Sequence, residues 1–261
     1  MEYIHKNGFK TFYETHGMPS NPAIVLMHGI GANHDMFAPQ KEFFASQGYY
    51  VIAPDLLAHG KSSKAIILSL SDWADQVFEL LSHLKIENAS FLGVSMGGVI
   101  ALYIAANYSS RVDKLIISDS FGELKTKAEK ALGKSQVLGF KMFKALGAKA
   151  LSKGMEKTYK AGYAFKAKDY FKRISLDSDF EQLILARKAI NEIDVLDQLK
   201  ENEYDALVIV GSEFGKTFIQ TNRKIADALN VPLVILPEAM DPSNLVNPDE
   251  FNRAVKEFLS V

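Results

Sequence analysis

Gly93-Val94-Ser95-Met96-Gly97-Gly98 follows the apolar run Ala89-Ser90-Phe91-Leu92 and precedes Val99-Ile100-Ala101-Leu102-Tyr103-Ile104. The first run reads as a strand and the second as a helix. A serine flanked by glycines at such a junction sits on a sharp turn that leaves its hydroxyl exposed. That hydroxyl is a poor nucleophile until a base takes its proton, and the base is most often imidazole. All 6 histidines, however, lie at or before His83, upstream of Ser95.

Working outward, further strand-like runs are Ala23–Met27, Tyr49–Ala53, Leu115–Ser118, Ala206–Val210 and Leu233–Leu236. The chain opens with a hairpin pattern, Tyr3-Ile4-His5 and Lys10–Thr15 around an Asn7-Gly8 turn. Between the later runs lie amphipathic stripes. One comprises Leu70, Trp73, Val77, Leu80, Leu81 and Leu84; another, opened by Pro248, comprises Phe251, Val255, Phe258 and Leu259. Continuous apolar strands alternating with such helices predict an α/β fold, with an eight-stranded, mostly parallel sheet covered on both faces.

The alternation breaks between Glu123 and about Leu199, where the sequence is helical throughout. Residues 123–173 carry 14 Lys plus Arg against 4 acidic residues, while the whole chain has a net charge of −1. Phe140, Met142, Phe143, Leu146, Leu151, Met155, Tyr159, Tyr163 and Phe165 give this insertion an apolar face. The division expected is a core of residues 1–122 and 200–261 with a helical cap or lid over 123–199. Lysines that keep the insertion soluble are one reading of its charge. Steering of acidic ligands, or contact with an anionic membrane surface, is another.

With 261 residues the chain is long enough for one open α/β domain. Near-neutral overall charge argues against general nucleic-acid binding. The absence of cysteine excludes disulfides, a thiol nucleophile and thiolate metal sites. No signal-like or membrane-spanning run occurs, so no stable membrane insertion and a cytoplasmic location are expected. No histidine set has metal-ligand spacing, and neither a metal nor another cofactor is implied.

Together these segments resemble the α/β-hydrolase superfamily, in its branch of small esterases and acyl hydrolases. Met27-His28-Gly29-Ile30-Gly31-Ala32 resembles the family's His-Gly oxyanion loop. Pro54-Asp55-Leu56-Leu57-Ala58-His59-Gly60-Lys61-Ser62 resembles the loop after the fourth strand, with Ala58 where glycine is typical. Gly93–Gly98 resembles the nucleophile elbow. Leu236-Pro237-Glu238-Ala239-Met240-Asp241-Pro242 resembles the loop that normally bears Gly-His, and Pro248-Asp249-Glu250-Phe251 the helix opening after it.

The resemblance implies a Ser-acid-His triad, and two of its positions are altered. Asp241 stands where the histidine belongs, with Met240 in place of glycine. Phe214 occupies the acid position after the seventh strand, beside Glu213, while Asp119 stands at the alternative acid position after the sixth. Ser95, Asp241 and Asp119 are therefore the candidate catalytic residues, and the amides of Ile30 and Met96 the candidate oxyanion hole. A pocket is expected among His28, Gly29, His34, Phe121, Phe214 and Met240, with Met36, Phe37 and the triplet Ile66-Ile67-Leu68 supplying apolar surface. His34 is the one histidine placed to substitute as base. Asp241 can also be read as a solvated loop carboxylate in an Asp-Pro turn.

Three functions fit. The first is weak or nonstandard hydrolysis of a carboxylic ester or related acyl compound by Ser95. The second is a non-catalytic protein that binds a small apolar molecule. The third is a repurposed or engineered site in which Asp241 abstracts a proton from a carbon acid.

Overall fold

The computed structural model describes residues 1–5, 8–201 and 203–260. Its elements run β1 (Glu2–Ile4), β2 (Lys10–His16), β3 (Ala23–Met27), α1 (Ala38–Ser46), β4 (Tyr50–Pro54), α2 (Leu70–His83), β5 (Ala89–Val94) and α3 (Met96–Asn107). They continue through β6 (Val112–Ser118), α4 (Lys127–Leu146), α5 (Ala148–Thr158), α6 (Phe165–Ile174), α7 (Phe180–Ile190) and β7 (Asp205–Gly211). The last are α8 (Lys216–Leu229), β8 (Leu233–Leu236), α9 (Ser243–Val246) and α10 (Pro248–Leu259).

The sheet has 8 strands in the order β1-β2-β4-β3-β5-β6-β7-β8. β1 and β2 pair antiparallel, β2 is antiparallel to β4, and every later pairing is parallel. The expected mostly parallel sheet is thus observed. Asn7, half of the expected turn, lies outside the described residues. β6 begins at Val112, three positions before its apolar run, because Asp113 and Lys114 belong to the strand. Lys114 pairs in register with Asp205 of β7, and its ammonium group lies over the Phe258 ring and donates to Phe258 O.

Two cores form because side chains alternate across a pleated sheet. Val25, Met27, Ile52, Phe91, Leu115 and Ile117 pack with Trp73, Val77 and Leu80 of α2, residues of α3, and Ile225 of α8. Ile24, Leu26, Val51, Leu92, Val94 and Ile116 face the other way, onto Phe44 of α1 and Phe251 and Val255 of α10. α2 starts at Ser69, which accepts from Asp72 N while the Asp72 carboxylate accepts from Ser69 N, a capping box that fixes the stripe's register.

Strand order sets the position of the site. From β3 the chain crosses to β4 on one side, and from β5 to β6 on the other. A crevice opens at the carboxyl ends of strands where such a reversal occurs. The loop after β3 and the turn at Ser95 after β5 both lie there. Between β6 and β7, helices α4 to α7 replace the strand alternation, and the ends of this stretch meet in a bridge between Glu123 and Asp194.

Ala58 has φ 70°, in the left-handed region where a Cβ is strained. Ala58→Gly should stabilise the fold by up to about 1 kcal/mol, read as a higher Tm in thermal denaturation. A lower Tm would show that the Ala58 methyl group's packing outweighs the backbone strain.

Candidate active site

Ser95 lies between the last residue of β5 and the first of α3, with φ 55° and ψ −115°. This strained conformation is held from several sides. Ser95 N donates to Ser118 O at 2.9 Å, Ser120 Oγ donates to Ser95 O at 2.9 Å, and Val99 N donates to the same carbonyl at 3.1 Å. Gly97 is required because a Cβ there would fall inside the Met27 carbonyl, where the loop after β3 crosses α3. A Cβ on Gly29 would come 3.4 Å from Ser95 Cβ, so that loop's backbone lies directly against the serine.

The Ser95 hydroxyl donates to Asp241 Oδ2 at 3.0 Å. Asp241 is half-buried in the wall of the Ser95 cavity, which is not the place of a freely solvated loop carboxylate. Tyr159, from the end of α5, donates its hydroxyl to the Asp241 carbonyl at 2.9 Å.

Asp119 follows β6 with φ 51° and is 1% exposed. It receives hydrogen bonds from Ser118 Oγ (2.9 Å), Gly211 N (2.9 Å), Ser243 N (2.8 Å) and Ser243 Oγ (3.0 Å). Asp119 therefore anchors the loop that carries Asp241 without bonding the Asp241 side chain. Burial raises the pKa of both carboxyls, but four donors oppose the shift at Asp119. At Asp241, burial comes first and the Asp119 charge adds to it. Together they push its pKa well above the ordinary carboxylate value, against smaller opposing effects of the Ser95 hydroxyl and the Arg187 charge. Of the two, Asp119, which faces four donors, is the better stabilised as an anion, and Asp241 is the more easily protonated.

The cavity has a volume of about 170 Å³ and is walled by Gly29, Ile30, Met36, Ser95, Leu183 and Asp241, with the aromatic and apolar residues Phe140, Leu151, Met155, Tyr159 and Phe171. Ile30 is thus at the cavity, and Met96 N, the first amide of α3, has no helical carbonyl one turn before it. Phe140, Leu151, Met155 and Tyr159 belong to the apolar face anticipated for the helical insertion.

Several expected pocket residues lie elsewhere. His28 is fully buried; its Nδ1 donates to Gly29 O at 2.8 Å and its Nε2 accepts from Leu56 N at 3.0 Å, tying two loops together. His34 Nδ1 contacts Asp55 Oδ1 at 2.7 Å and its Nε2 faces Glu14 at 3.4 Å, so it is no substitute base for Ser95. His59 is buried against His28 with Nδ1 donating to Leu57 O at 3.1 Å, and burial depresses its pKa to about 3. Phe121 lies under the Arg187 guanidinium, and Phe214 is exposed against Phe218. Met240 packs on the core beneath α10. Glu213 is exposed and accepts from Ser212 Oγ.

The triplet also departs from expectation. Ile66 and Ile67 are 96% and 82% exposed, and only Leu68 is buried. Phe37 belongs to the core, while Met36 does reach the cavity. Glu14, His34 and Asp35 converge, a grouping that their sequence spacing conceals, but Lys41 Nζ already lies against both carboxylates. Ser243 and Arg187 were not singled out from sequence, and Tyr159 was named only as part of the apolar face of the insertion. Arg187 follows the apolar run Leu183-Ile184-Leu185-Ala186 and precedes Lys188, so the sequence alone gives no signal that sets it apart.

A carboxyl whose pKa is higher in the folded than in the unfolded chain binds more protons when folded. Stability therefore falls as pH rises from the unfolded value near ~4 through the raised one. Asp241→Asn keeps an acceptor for Ser95 and removes this penalty. It should raise Tm at pH 8 by about 2–4 °C, on the order of 1 kcal/mol, and change it little at pH 4. A Tm unchanged at pH 8 would mean that Asp241 ionises without cost.

Residues 22–175 match the profile of the alpha/beta hydrolase fold family. The chain is 25% identical over 248 residues to 3-oxoadipate enol-lactonase 2 of Acinetobacter baylyi, covering 94% of this chain and 91% of that protein. A structure from a study of carboxylesterases of the ammonia-oxidizing thaumarchaeon Nitrososphaera gargenis superimposes with TM-score 0.87 at 22% identity, covering 100% of this chain and 98% of the other. The enol-lactonase of Burkholderia xenovorans LB400 gives TM-score 0.81 at 23% identity, with 100% of each chain covered. Among the described residues, no helix is long and apolar enough to cross a membrane. The fold, the serine turn and the profile match agree: this chain belongs to the alpha/beta hydrolase family.

Proposed function

We propose that the protein is a slow hydrolase of carboxylic esters or related small acyl compounds, with Ser95 as nucleophile and Asp241 in the proton-transfer role that histidine fills in the family. The supporting observation is the 3.0 Å hydrogen bond from Ser95 Oγ to Asp241 Oδ2. It puts a carboxylate within reach of the proton that must leave.

In the ionised state Asp241 accepts the Ser95 proton as Oγ bonds to the acyl carbon. The carbonyl electrons move to oxygen, where the amides of Ile30 and Met96 are the candidate donors. Collapse of the adduct breaks the bond to the alkoxy group, which leaves with the proton from Asp241. Water then attacks the acyl-serine and gives a proton to Asp241; the bond from the acyl carbon to Ser95 Oγ breaks, Oγ takes that proton back, and the carboxylic acid leaves. Helices α4 to α7 serve as the lid whose apolar residues exclude bulk water. The same burial raises the pKa of Asp241. An ordinary carboxylate near ~4 is a poor base for an alcohol, and the shift narrows that gap at the cost of a smaller ionised fraction. The relatives named enol-lactonase and carboxylesterase support acyl chemistry.

The apolar wall around Asp241 favours one other reading, abstraction of a proton from a carbon acid by the same carboxylate. Ser95 is not the nucleophile there, so one variant separates the two.

On p-nitrophenyl butyrate, the unsubstituted chain should show low turnover that falls to background in Ser95→Ala and Asp241→Asn. Its pH profile should have a rising limb above the ordinary carboxylate range. Asp241→His should raise kcat/KM by about 10²-fold or more. Equal rates for the unsubstituted chain and Ser95→Ala would overturn the hydrolytic reading. Proton abstraction that survives Ser95→Ala and is lost in Asp241→Asn would establish the other.

A further inference from the structure

Arg187 is the one buried cation of the cap that the chemistry above leaves unused. It lies on α7 one turn beyond Leu183, on the same helix face, and Leu183 walls the Ser95 cavity. The residue is 8% exposed. Its guanidinium stacks over the Phe121 ring at 5.1 Å, and Phe121 lies two residues beyond Asp119. Among the described residues no carboxylate forms an ion pair with it, and its Nε meets no hydrogen-bond partner.

An unpaired buried guanidinium is costly, because its hydration is lost and nothing in the protein replaces it. Buried polar atoms without partners are rare enough that each calls for an explanation. Asp241 is the one acid whose charge acts on Arg187, yet the Asp241 carboxylate is turned to the Ser95 hydroxyl. Burial lowers the guanidinium pKa to about 10, so it stays charged at neutral pH. The Phe121 ring covers one side of the group and takes none of its N–H bonds in the plane. A guanidinium edge matches a carboxylate with two parallel hydrogen bonds.

We propose that Arg187 is the anchor for a carboxylate group of the ligand, so that the Ser95 cavity takes small acyl compounds bearing a second, ionised carboxyl. Arg187 is then a specificity-determining residue. For turnover this rests on the hydrolytic reading above; for binding it does not. The chemistry of the cavity fits the division of labour. The wall formed by Met36, Phe140, Leu151 and Met155 covers a short aliphatic chain, and Arg187, one turn behind the Leu183 wall, is the cation nearest to these residues on α7.

The test is isothermal titration at pH 7 of Ser95→Ala with butyrate and with butyramide, which match in shape and differ in charge. Butyrate should bind about tenfold more tightly or better. In Ser95→Ala combined with Arg187→Met that preference should vanish, whereas Arg187→Lys should retain part of it as a point charge. The two-ligand comparison needs no substitution at 187, so poor folding of an Arg187 variant does not blunt it. Equal affinity for both compounds, binding of neither at millimolar concentration, or a butyrate preference that survives Arg187→Met would each overturn the proposal. Loss of the preference with Ser95-dependent ester turnover intact would remove the anchor alone. A butyrate preference in a chain without Ser95-dependent turnover would remove the hydrolytic reading alone.

Discussion

The hydrogen bond between Ser95 and Asp241 depends on a second carboxylate that neither residue touches through its side chain. Asp119 gathers Gly211 from the end of β7 and Ser243 from the loop after β8, and so fixes where Asp241 stands. Its charge also helps drive the proton onto Asp241. Removing it would release the loop and lower the Asp241 pKa together. Position and protonation state are thus set by one buried anion, a coupling that a histidine at 241 would use in the opposite sense, as an attraction.

That arrangement needs a scaffold able to hold two non-glycine residues in the left-handed region, Ser95 at φ 55° and Asp119 at φ 51°. Each such residue costs on the order of 1–3 kcal/mol. Both sit at carboxyl ends of adjacent central strands, β5 and β6, where backbone hydrogen bonds from neighbouring elements constrain them most. The buried histidines belong to this scaffold. His28, His34 and His59 spend ring nitrogens on loops and on Asp55, and His59 is held neutral by burial. Their rings are turned to these partners and not to Ser95, whose hydroxyl meets Asp241 instead.

Much of this was legible from residue order. The strand runs, the serine turn and the place of Asp241 in the loop after β8 could be read because each depends on local pattern: continuous apolar runs, glycines at a sharp bend, and a fixed spacing from Pro248. The pocket was less legible because much of its wall comes from helices α4 to α7, which reach the serine only through tertiary packing. Phe140 and Met155 announced themselves as part of an apolar face, but nothing local distinguishes them from Met142 and Leu146, which turn outward. Ile66 and Ile67 misled for the complementary reason. Their hydrophobicity predicts burial, and the loop between β4 and α2 leaves both in solvent. Phe214 and Met240 were placed by homology of position, and a shift of the backbone after β7 and β8 is enough to turn such side chains away.

The charges around the cavity bind its chemistry to its choice of ligand. When Asp119 is ionised, Asp241 protonated and Arg187 charged, the group is neutral overall. Ionising Asp241 to make it a base gives the group a net negative charge, and an anionic ligand adds another. The state that best accepts an anion at Arg187 is therefore the one in which Asp241 keeps its proton. The state able to activate Ser95 is the one that holds such a ligand less well. Each added negative charge raises the Asp241 pKa further by the same electrostatic route that Asp119 already uses. Binding of an anion and proton uptake at Asp241 are then linked, and each must favour the other by an equal free energy. A histidine would escape this conflict, since the imidazolium formed during attack gains from nearby anions where a carboxylate base loses. On the proposed chemistry, slow turnover of a tightly held anionic ligand would follow from an aspartate at position 241.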